Sequence, residues 1–587
     1  MVMTRIAVIE KDKCNPIGCG DFLCIKLCPM NRARKECIVK SDGKPRIDES
    51  ICTGCAICQN RCPFFAISII NLPEELTKKP IHRYSENGFA LYSLPAPIFG
   101  KVVGIIGVNG IGKSTAIKIL AGVLSPNFGD FKSEKTNYDD LIAFFKGTEA
   151  QLFFEKVKKG EIKISYKLQQ VDLIAKNMSG KVRELLKKVD EKGKLEEIAK
   201  ELDITEILDN DIETISGGEL QRVAIAAAVL KKANFYVFDE PTSYLDIKQR
   251  LKVSRFIKSL ADDKTAVMVV EHDLIILDYM ADLVHLLYGK EACYGIVSQP
   301  KSAKAGINTF LSGYLREENV RFRGHEIKFE AKPPTKKQSQ NELVSWKGIE
   351  KQLGNFKLKA PGGIIYKSEV AGILGENGIG KTSFVKILAE EIKPDKGEIN
   401  EKVRVSYKPQ YLMADSDDIV MNVLKDATDK YSNQIITPLR LEPLLLKRLN
   451  ELSGGELQRV SIALCLSRDA KLYLLDEPSA YLDVEQRLIV SKVIREFMEH
   501  KGCSAIIVDH DLLFIDYLSQ NLIVFEGKPA LEGTCKGPFS MEEGMNTFLK
   551  DLGLTFRRDP ESLRPRANKP ESQMDRKQKE EGRLYYG

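Results

Sequence analysis

One stretch of this chain is written twice. Residues 215–246 read ISGGELQRVAIAAAVLKKANFYVFDEPTSYLD, and residues 452–483 read LSGGELQRVSIALCLSRDAKLYLLDEPSAYLD. The offset is 237 residues throughout, without a gap. A repeat this close decides architecture, because both copies must fold as the same supersecondary unit. Each copy joins a Ser-Gly-Gly turn, a helix, a buried apolar strand and an Asp-Glu pair. The pattern predicts an α/β fold made of two like halves.

Upstream of each copy lies a glycine-rich loop. The strand KVVGIIG runs into Gly107, Asn109, Gly110, Gly112, Lys113, Ser114 and Thr115, and the second copy has Gly375, Asn377, Gly378, Gly380, Lys381, Thr382 and Ser383. Both match G-x4-GK[ST] between a strand and an amphipathic helix, the context a P-loop requires. Backbone N–H groups at the helix start cradle phosphate. Lys113 and Lys381 neutralise the β- and γ-phosphates, and the Ser114 and Thr382 hydroxyls bind Mg²⁺. Asp239 and Asp476 stand at the carboxyl ends of the apolar strands, where Mg²⁺ sits. Glu240 and Glu477 follow them, placed to polarise the attacking water as general bases. His272 and His510, in VVEHD and IVDHD, lie 32 and 33 residues after those glutamates. Their matched positions favour a γ-phosphate contact over a structural histidine. Gln169 and Gln410, in YKLQ and YKPQ, are matched as further Mg²⁺ contacts.

Nine of the thirteen cysteines fall between Cys14 and Cys62. Such a cluster in a large chain reads as metal ligation. Cys52, Cys55, Cys58 and Cys62-Pro form C-x2-C-x2-C-x3-C-P, which resembles the bacterial ferredoxin run whose fourth cysteine ligates the other cluster of a pair. Cys14, Cys19, Cys24 and Cys28-Pro precede it with x4, x4 and x3 spacings. Two [4Fe–4S] clusters are expected, one on Cys28, Cys52, Cys55 and Cys58 and the other on Cys14, Cys19, Cys24 and Cys62. Cys37 is left over as a buried spectator. A zinc site is the alternative, but three thiolates at C-x2-C-x2-C suit a cubane better.

The intervals between motifs locate a difference. Lys113 to Gln169 spans 56 residues and Lys381 to Gln410 spans 29, so the first copy carries 27 more, within about 128–162. Two short helices broken near Gly147-Thr148 are expected there. They read equally as a tolerated surface insertion or as a docking element. Tyr84 and Phe89 precede the first P-loop; taken alone they read as core aromatics rather than adenine-stacking ones. Both copies end alike, GINTFLSGYLREENVRFR and GMNTFLKDLGLTFRR, followed by a polar linker and a basic tail. The arginines there suit a hinge better than RNA phosphates.

Six motifs together resemble the ABC-type ATPases: P-loop, Q-loop, SGGELQR signature, DE pair, the Asp246 and Asp483 loops, and the histidine switch. The resemblance implies two domains head to tail, in which the signature of one closes on the nucleotide of the other. Ser453 and Gly455 then serve Lys113, and Ser216 and Gly218 serve Lys381. The order of parts narrows this further. A ferredoxin-like domain fused to twin ABC domains is similar to the ABC ribosome-recycling factors of archaea and eukaryotes, subfamily E, also called the RNase L inhibitor family. The x4 step from Cys19 to Cys24 departs from the x3 of many relatives. The resemblance implies an ATPase that splits ribosomes into subunits after termination or rescue, with release factor or Pelota as partner. It implies contact of the insertion with the small subunit and rRNA, and adenine stacking by Tyr84 and Phe89. It also implies a monomer with an intramolecular ATPase dimer.

Other classes are set against this. A redox enzyme would need a flavin or substrate motif, and a DNA-repair ATPase a long coiled coil. A transporter subunit would need a membrane partner. The longest apolar runs, VAIAAAVL and TAVMVV, fall far short of the roughly 18 residues of a spanning helix. The N-terminus turns charged too soon for a signal peptide, so a cytoplasmic protein is expected. A net charge of +6 permits a ribosome surface without demanding one. The expected domains are 1–75 ferredoxin-like, 76–315 first ATPase, 316–340 linker, 341–553 second ATPase and 554–587 C-terminal hinge segment and tail.

Overall fold

The computed structural model describes residues 5–71, 79–131, 136–324, 326, 327, 329, 341–400, 403–410 and 416–585. Most of the expected linker, residues 132–135 of the insertion, residues 72–78 and the first four residues lie outside them. The chain gathers into two compact units. The first holds Met1–Ser243, Phe256–Glu271 and Ala281–Gly324; the second holds Tyr244–Arg255, His272–Met280 and His325–Gly587.

In the first unit, strands 283–290, 102–106, 266–270, 235–239 and 164–167 lie side by side in that order, all parallel. Val102–Ile106, Phe235–Asp239 and Ala266–Val270 are buried at every position. Strands covered on both faces must be apolar throughout, which is why these segments read as unbroken hydrophobic runs. The helix Lys113–Leu120 covers the sheet with Ala116, Ile117, Ile119 and Leu120.

The insertion is two helices, Tyr138–Phe144 and Glu149–Lys158, the first held at its start by an Asn137–Asp140 capping box. Their inward face joins the core of the first ATPase copy. Phe153 and Phe154 are buried with Leu141 in the core that holds Phe235 and Met268.

Before this ATPase copy lies the cysteine-rich part. Arg5–Ile9 pairs antiparallel with Ile67–Asn71, beside the hairpin Ile38–Ser41/Lys44–Ile47. Short helices Leu23–Leu27 and Ile57–Arg61 each open on a left-handed residue, Phe22 (φ 56°) and Ala56 (φ 57°). Cys28 and Cys62 leave these helices in extended conformation, as a residue before proline must. The segment 82–91 is bonded to this part. Asn87 donates to the Ala7 and Ile47 carbonyls, both at 3.0 Å. Arg83 forks onto Glu49 at 2.5 and 3.1 Å.

The second unit repeats the parallel core as strands 521–528, 370–374, 504–508, 472–476 and 405–408. It adds a long hairpin, Glu342–Leu353/Phe356–Tyr366, where the first copy has two-residue strands. Trp346, the chain's one tryptophan, is buried in this core with its ring edge-on to Phe384 at 5.2 Å.

The segment expected as a basic tail is instead a packed element: strands Phe556–Arg558 and Pro565–Ala567, then helix Gln573–Glu581. Three of its arginines are held by carboxylates. Arg564 is fully buried and bonds Asp278 at 2.9 Å, which also accepts from Arg566 at 2.6 Å; Arg558 forks onto Asp516 at 2.7 and 2.9 Å. Asp278 and Asp516 hold matched positions in LIILDY and LLFIDY. Arg323 donates to the Phe310 carbonyl at 2.8 Å. Arg323, Arg558, Arg564 and Arg566 are thus each held by protein groups of their own unit.

Candidate nucleotide sites and cysteine rings

The two P-loops are superposable in their bonds. Lys113 Nζ donates to the Gly107 and Val108 carbonyls at 2.8 and 2.9 Å, and Lys381 Nζ to Gly375 and Glu376 at 3.0 and 2.5 Å. Gly112 (φ 95°) and Gly380 (φ 91°) open the helices in left-handed conformation. A Cβ on Gly112 would meet Phe89 at 2.6 Å, and one on Gly380 would meet Phe356 at 2.9 Å. Phe356 is therefore the second copy's counterpart of Phe89, missed from sequence although NGFAL and GNFKL share the aromatic-x-Leu spacing. Tyr84 is more than half exposed, with its hydroxyl 3.0 Å from Thr115 Oγ1 and its ring 6.5 Å from that of Phe89. A half-exposed aromatic leaves a face for a base.

Asp239 and Asp476 are buried, and burial raises the pKa of both. Asp239 Oδ1 and both carboxylate oxygens of Asp476 lack a protein hydrogen-bond partner, while the Ser114 and Thr382 hydroxyls stand near and favour the charged forms. Buried carboxylate oxygens facing a hydroxyl beside a phosphate cradle fit a hard cation such as Mg²⁺.

Glu240 and Glu477 hold left-handed backbone, φ 47° and 46°, a costly conformation for a non-glycine residue. The bonds that enforce it are the same in both copies. The Glu240 carbonyl accepts from Gln221 at 2.6 Å and Lys167 at 3.3 Å; the Glu477 carbonyl accepts from Gln458 at 2.7 Å and Lys408 at 3.4 Å. Gln169 donates to the Glu240 carboxylate at 2.6 Å and Gln410 to that of Glu477 at 2.7 Å. The matched glutamines thus reach the glutamates. Burial pushes Lys167 and Lys408 down to about 8. Their sequence signal was the lysine repeated two residues before each glutamine.

His510 Nε2 lies 3.7 Å from Glu477 Oε1. Burial, then the charges of Lys381 and Arg250, hold its pKa well below the usual range, so it is neutral at pH 7. Burial raises Glu477 as well, followed by Asp476. His272 is buried at the matched position. Ser216 and Ser453 cap the helices Gly217–Leu230 and Gly454–Ser467, each through a capping box with the glutamate three residues on. Asp246 Oδ2 accepts from the Asn377 N–H at 3.0 Å.

The cysteines fall into two groups. Cys24 is pushed up to about 11, by burial and also by its neighbours Cys14, Cys19 and Cys62. Cys58 is pushed up to about 12, by burial and then chiefly by Cys52. Cys37 is raised by burial and then by Cys28 and Cys52, to which it hydrogen-bonds. It is thus buried beside two of the cysteines expected to hold one cluster. Cys14, Cys19, Cys24 and Cys62 act on one another, Cys52 and Cys55 act on Cys58, and Cys24 acts on Cys58 as well. No group of three or more His, Cys, Asp or Glu among the described residues gathers tightly enough to hold a metal ion.

Known proteins place these features together. The family described as ABC transporter matches residues 99–243 and 358–480. A possible Fer4-like domain in RNase L inhibitor matches 4–36, and a 4Fe-4S binding domain matches 45–68. An uncharacterised ABC transporter ATP-binding protein of Methanocaldococcus jannaschii is 53% identical, over 99% of this chain and 97% of its own. Translation initiation factor RLI1 of Saccharomyces cerevisiae is 43% identical, over 99% of this chain and 98% of its own. A solved structure, a model of ribosome-bound archaeal Pelota and ABCE1, matches with TM-score 0.92 and 52% identity, covering 100% of this chain and 99% of the other. The chain belongs to the RNase L inhibitor family, subfamily E of the ABC ATPases. As a member of that family it is an ABC-type ATPase with 4Fe–4S-binding and ATP/Mg²⁺-binding parts. No helix among the described residues is long and apolar enough to cross a membrane.

Proposed function

We propose that this chain is the ATP-driven recycling factor that separates ribosomal subunits after termination or rescue. The observation that carries the reading is the extent of the likeness. It spans the cysteine-rich part, both ATPase copies and the insertion, and the matched archaeal protein was solved on the ribosome with Pelota. The partners are then the ribosome, chiefly its small subunit through the insertion and rRNA, and a release factor or Pelota, in the cytoplasm. Two [4Fe–4S] clusters, on the two thiol groups above, supply rigid cross-links to a part too small for a large core. The domain limits 1–75, 76–315, 341–553 and 554–587 belong to the same proposal.

The chemistry assigned to the chain's own side chains is as follows. Tyr84 and Phe89 stack on the adenine of the first site. Lys113 and Lys381 leave their carbonyls for phosphate oxygens. Mg²⁺, when bound at Asp239 with Ser114 or Asp476 with Thr382, offsets phosphate charge. Glu240 and Glu477 orient water and accept its proton; burial raises Glu477 toward neutral pH, where a base works best. His272 and the neutral His510 donate toward the γ-phosphate. Ser453 closes on the nucleotide at Lys113 and Ser216 on that at Lys381, bringing the positive helix ends. Motion at Tyr84 passes to the cysteine-rich part through Arg83 and Asn87.

Sedimentation of archaeal 70S ribosomes with ATP, release factor and this chain tests the reading. Separated subunits are expected with ATP alone among nucleotides that can be hydrolysed or withheld; intact ribosomes throughout would overturn it.

A further inference from the structure

Four charged side chains meet in the second unit: the buried Asp273 and Asp511 and the part-buried Arg250 and Arg487. Each arginine makes the same two bonds. Arg250 Nε donates to the Leu245 carbonyl at 2.8 Å and its Nη1 to Asp273 Oδ2 at 3.0 Å. Arg487 donates to the Leu482 carbonyl at 2.9 Å and to Asp511 Oδ2 at 2.7 Å. Leu245 and Leu482 precede Asp246 and Asp483; Asp273 and Asp511 follow His272 and His510. Each guanidinium thus ties one copy's aspartate loop to its histidine switch. The four groups act on one another: Asp273 is raised by burial, then by Asp511, and both arginines oppose this.

The symmetry breaks at Arg250. Its Nη1 also faces the His510 carbonyl at 3.5 Å, and its charge bears on both His510 and Glu477. The loop it holds reaches the second P-loop through Asp246 and Asn377. Lys248, two residues before it, pairs with Glu376 of that same P-loop at 2.7 Å. One largely enclosed side chain therefore touches the first switch, the second switch and the loop that bears on the second nucleotide.

We propose that Arg250 is a positioning residue that couples the two ATP sites, holding the His272 and His510 switches and the Asp246 loop in one linked arrangement. A buried guanidinium that loses one partner is left with uncompensated charge, so a shift at either switch is opposed or followed at the other. Lysine cannot replace it, because a point charge does not span a carboxylate and two carbonyls in fixed directions. The inference rests on the roles given above to the glutamates and histidines.

The test uses the full-length, iron-loaded chain with only the first site active. Glu477→Gln leaves the second site loaded, and Lys381→Ala leaves it without its phosphate lysine. The ratio of first-site kcat/KM between these two backgrounds measures coupling. With Arg250 present the ratio is expected to differ from one by at least about fivefold, the lower end of ordinary site coupling. With Arg250→Gln it is expected to fall within about twofold of one. Arg250→Lys keeps the charge and the buried stem and is expected to lose coupling too, which preserves the comparison should Arg250→Gln not fold. A ratio unchanged by either variant overturns the proposal, as does a ratio of one with Arg250 intact. Failure of the underlying assignment looks different: Glu477→Gln would then retain full parental turnover.

Discussion

Glu240 and Glu477 concentrate the chemistry of each copy in one strained residue. Replacing both by Gln keeps the shape and the Gln169 and Gln410 contacts but removes the proton acceptor. Turnover is expected to fall about 10²- to 10⁴-fold, the usual worth of a general base, while ATP stays bound. Nucleotide retention on a filter beside a phosphate-release assay checks both halves; undiminished release would sink the assignment. Asp509 makes a second residue-scale prediction. Burial, then Asp511, lifts it to about 6 in the folded protein, above the usual carboxylate value. The folded state then binds the proton more tightly than the unfolded one, so stability from this group falls as pH rises from about 4 to about 6. Asp509→Asn should flatten that fall by about 1–3 kcal/mol, read as urea midpoints from Trp346 fluorescence at pH 5 and 7. The reacting side chains were legible in the sequence because each sits in a repeated motif with fixed spacing. Their holders were not. Lys167 and Gln221 act on a backbone carbonyl, and which carbonyl a side chain meets is set by tertiary packing that spacing does not encode.

At the scale of elements, the sequence carried the parallel sheets well, since unbroken apolar runs between glycine-rich turns have few other uses. It carried the two insertion helices too, but not their packing. The break at Gly147-Thr148 was visible, yet only the fold shows Leu141, Phe153 and Phe154 sharing one core with Phe235. The insertion is thus part of the first ATPase core and not only an appendage. Phe154→Ala should cost about 3–5 kcal/mol, as a large buried aromatic does. Leu152→Ala, at an exposed position, should change stability by less than about 0.5 kcal/mol. Thermal unfolding of the two variants checks the contrast; equal effects would mean the helices stand free of the core. The C-terminal element was the least legible. A run of arginines gives no hint of whether water, phosphate or Asp278 will face it.

For the whole molecule, the prediction concerns iron. Cys55 is the exposed member of its group, so Cys55→Ser disturbs packing little while removing one corner of a cluster. Iron content and subunit splitting should both fall, with ATP hydrolysis persisting; metal analysis and ribosome sedimentation on one preparation check this. Splitting that survives complete loss of iron would show that the cysteine-rich part is not mechanical.

The membership of the second unit has a consequence for how the chain is made. Tyr244–Arg255 and His272–Met280 belong to it, although they are translated with the first ATPase copy. Asp278 is 286 residues ahead of Arg564, the buried partner that neutralises it. At about 5–20 residues per second, synthesis of that interval takes roughly 15 seconds to a minute. Through that time the helix Leu274–Met280, buried along its whole length in the finished protein, has no finished surface to pack against. The nascent chain must therefore carry an apolar helix and an unneutralised aspartate until its last thirty or so residues emerge. A release before that point, by a nonsense codon near the end of the message, would leave the second unit open at the segment that holds His272.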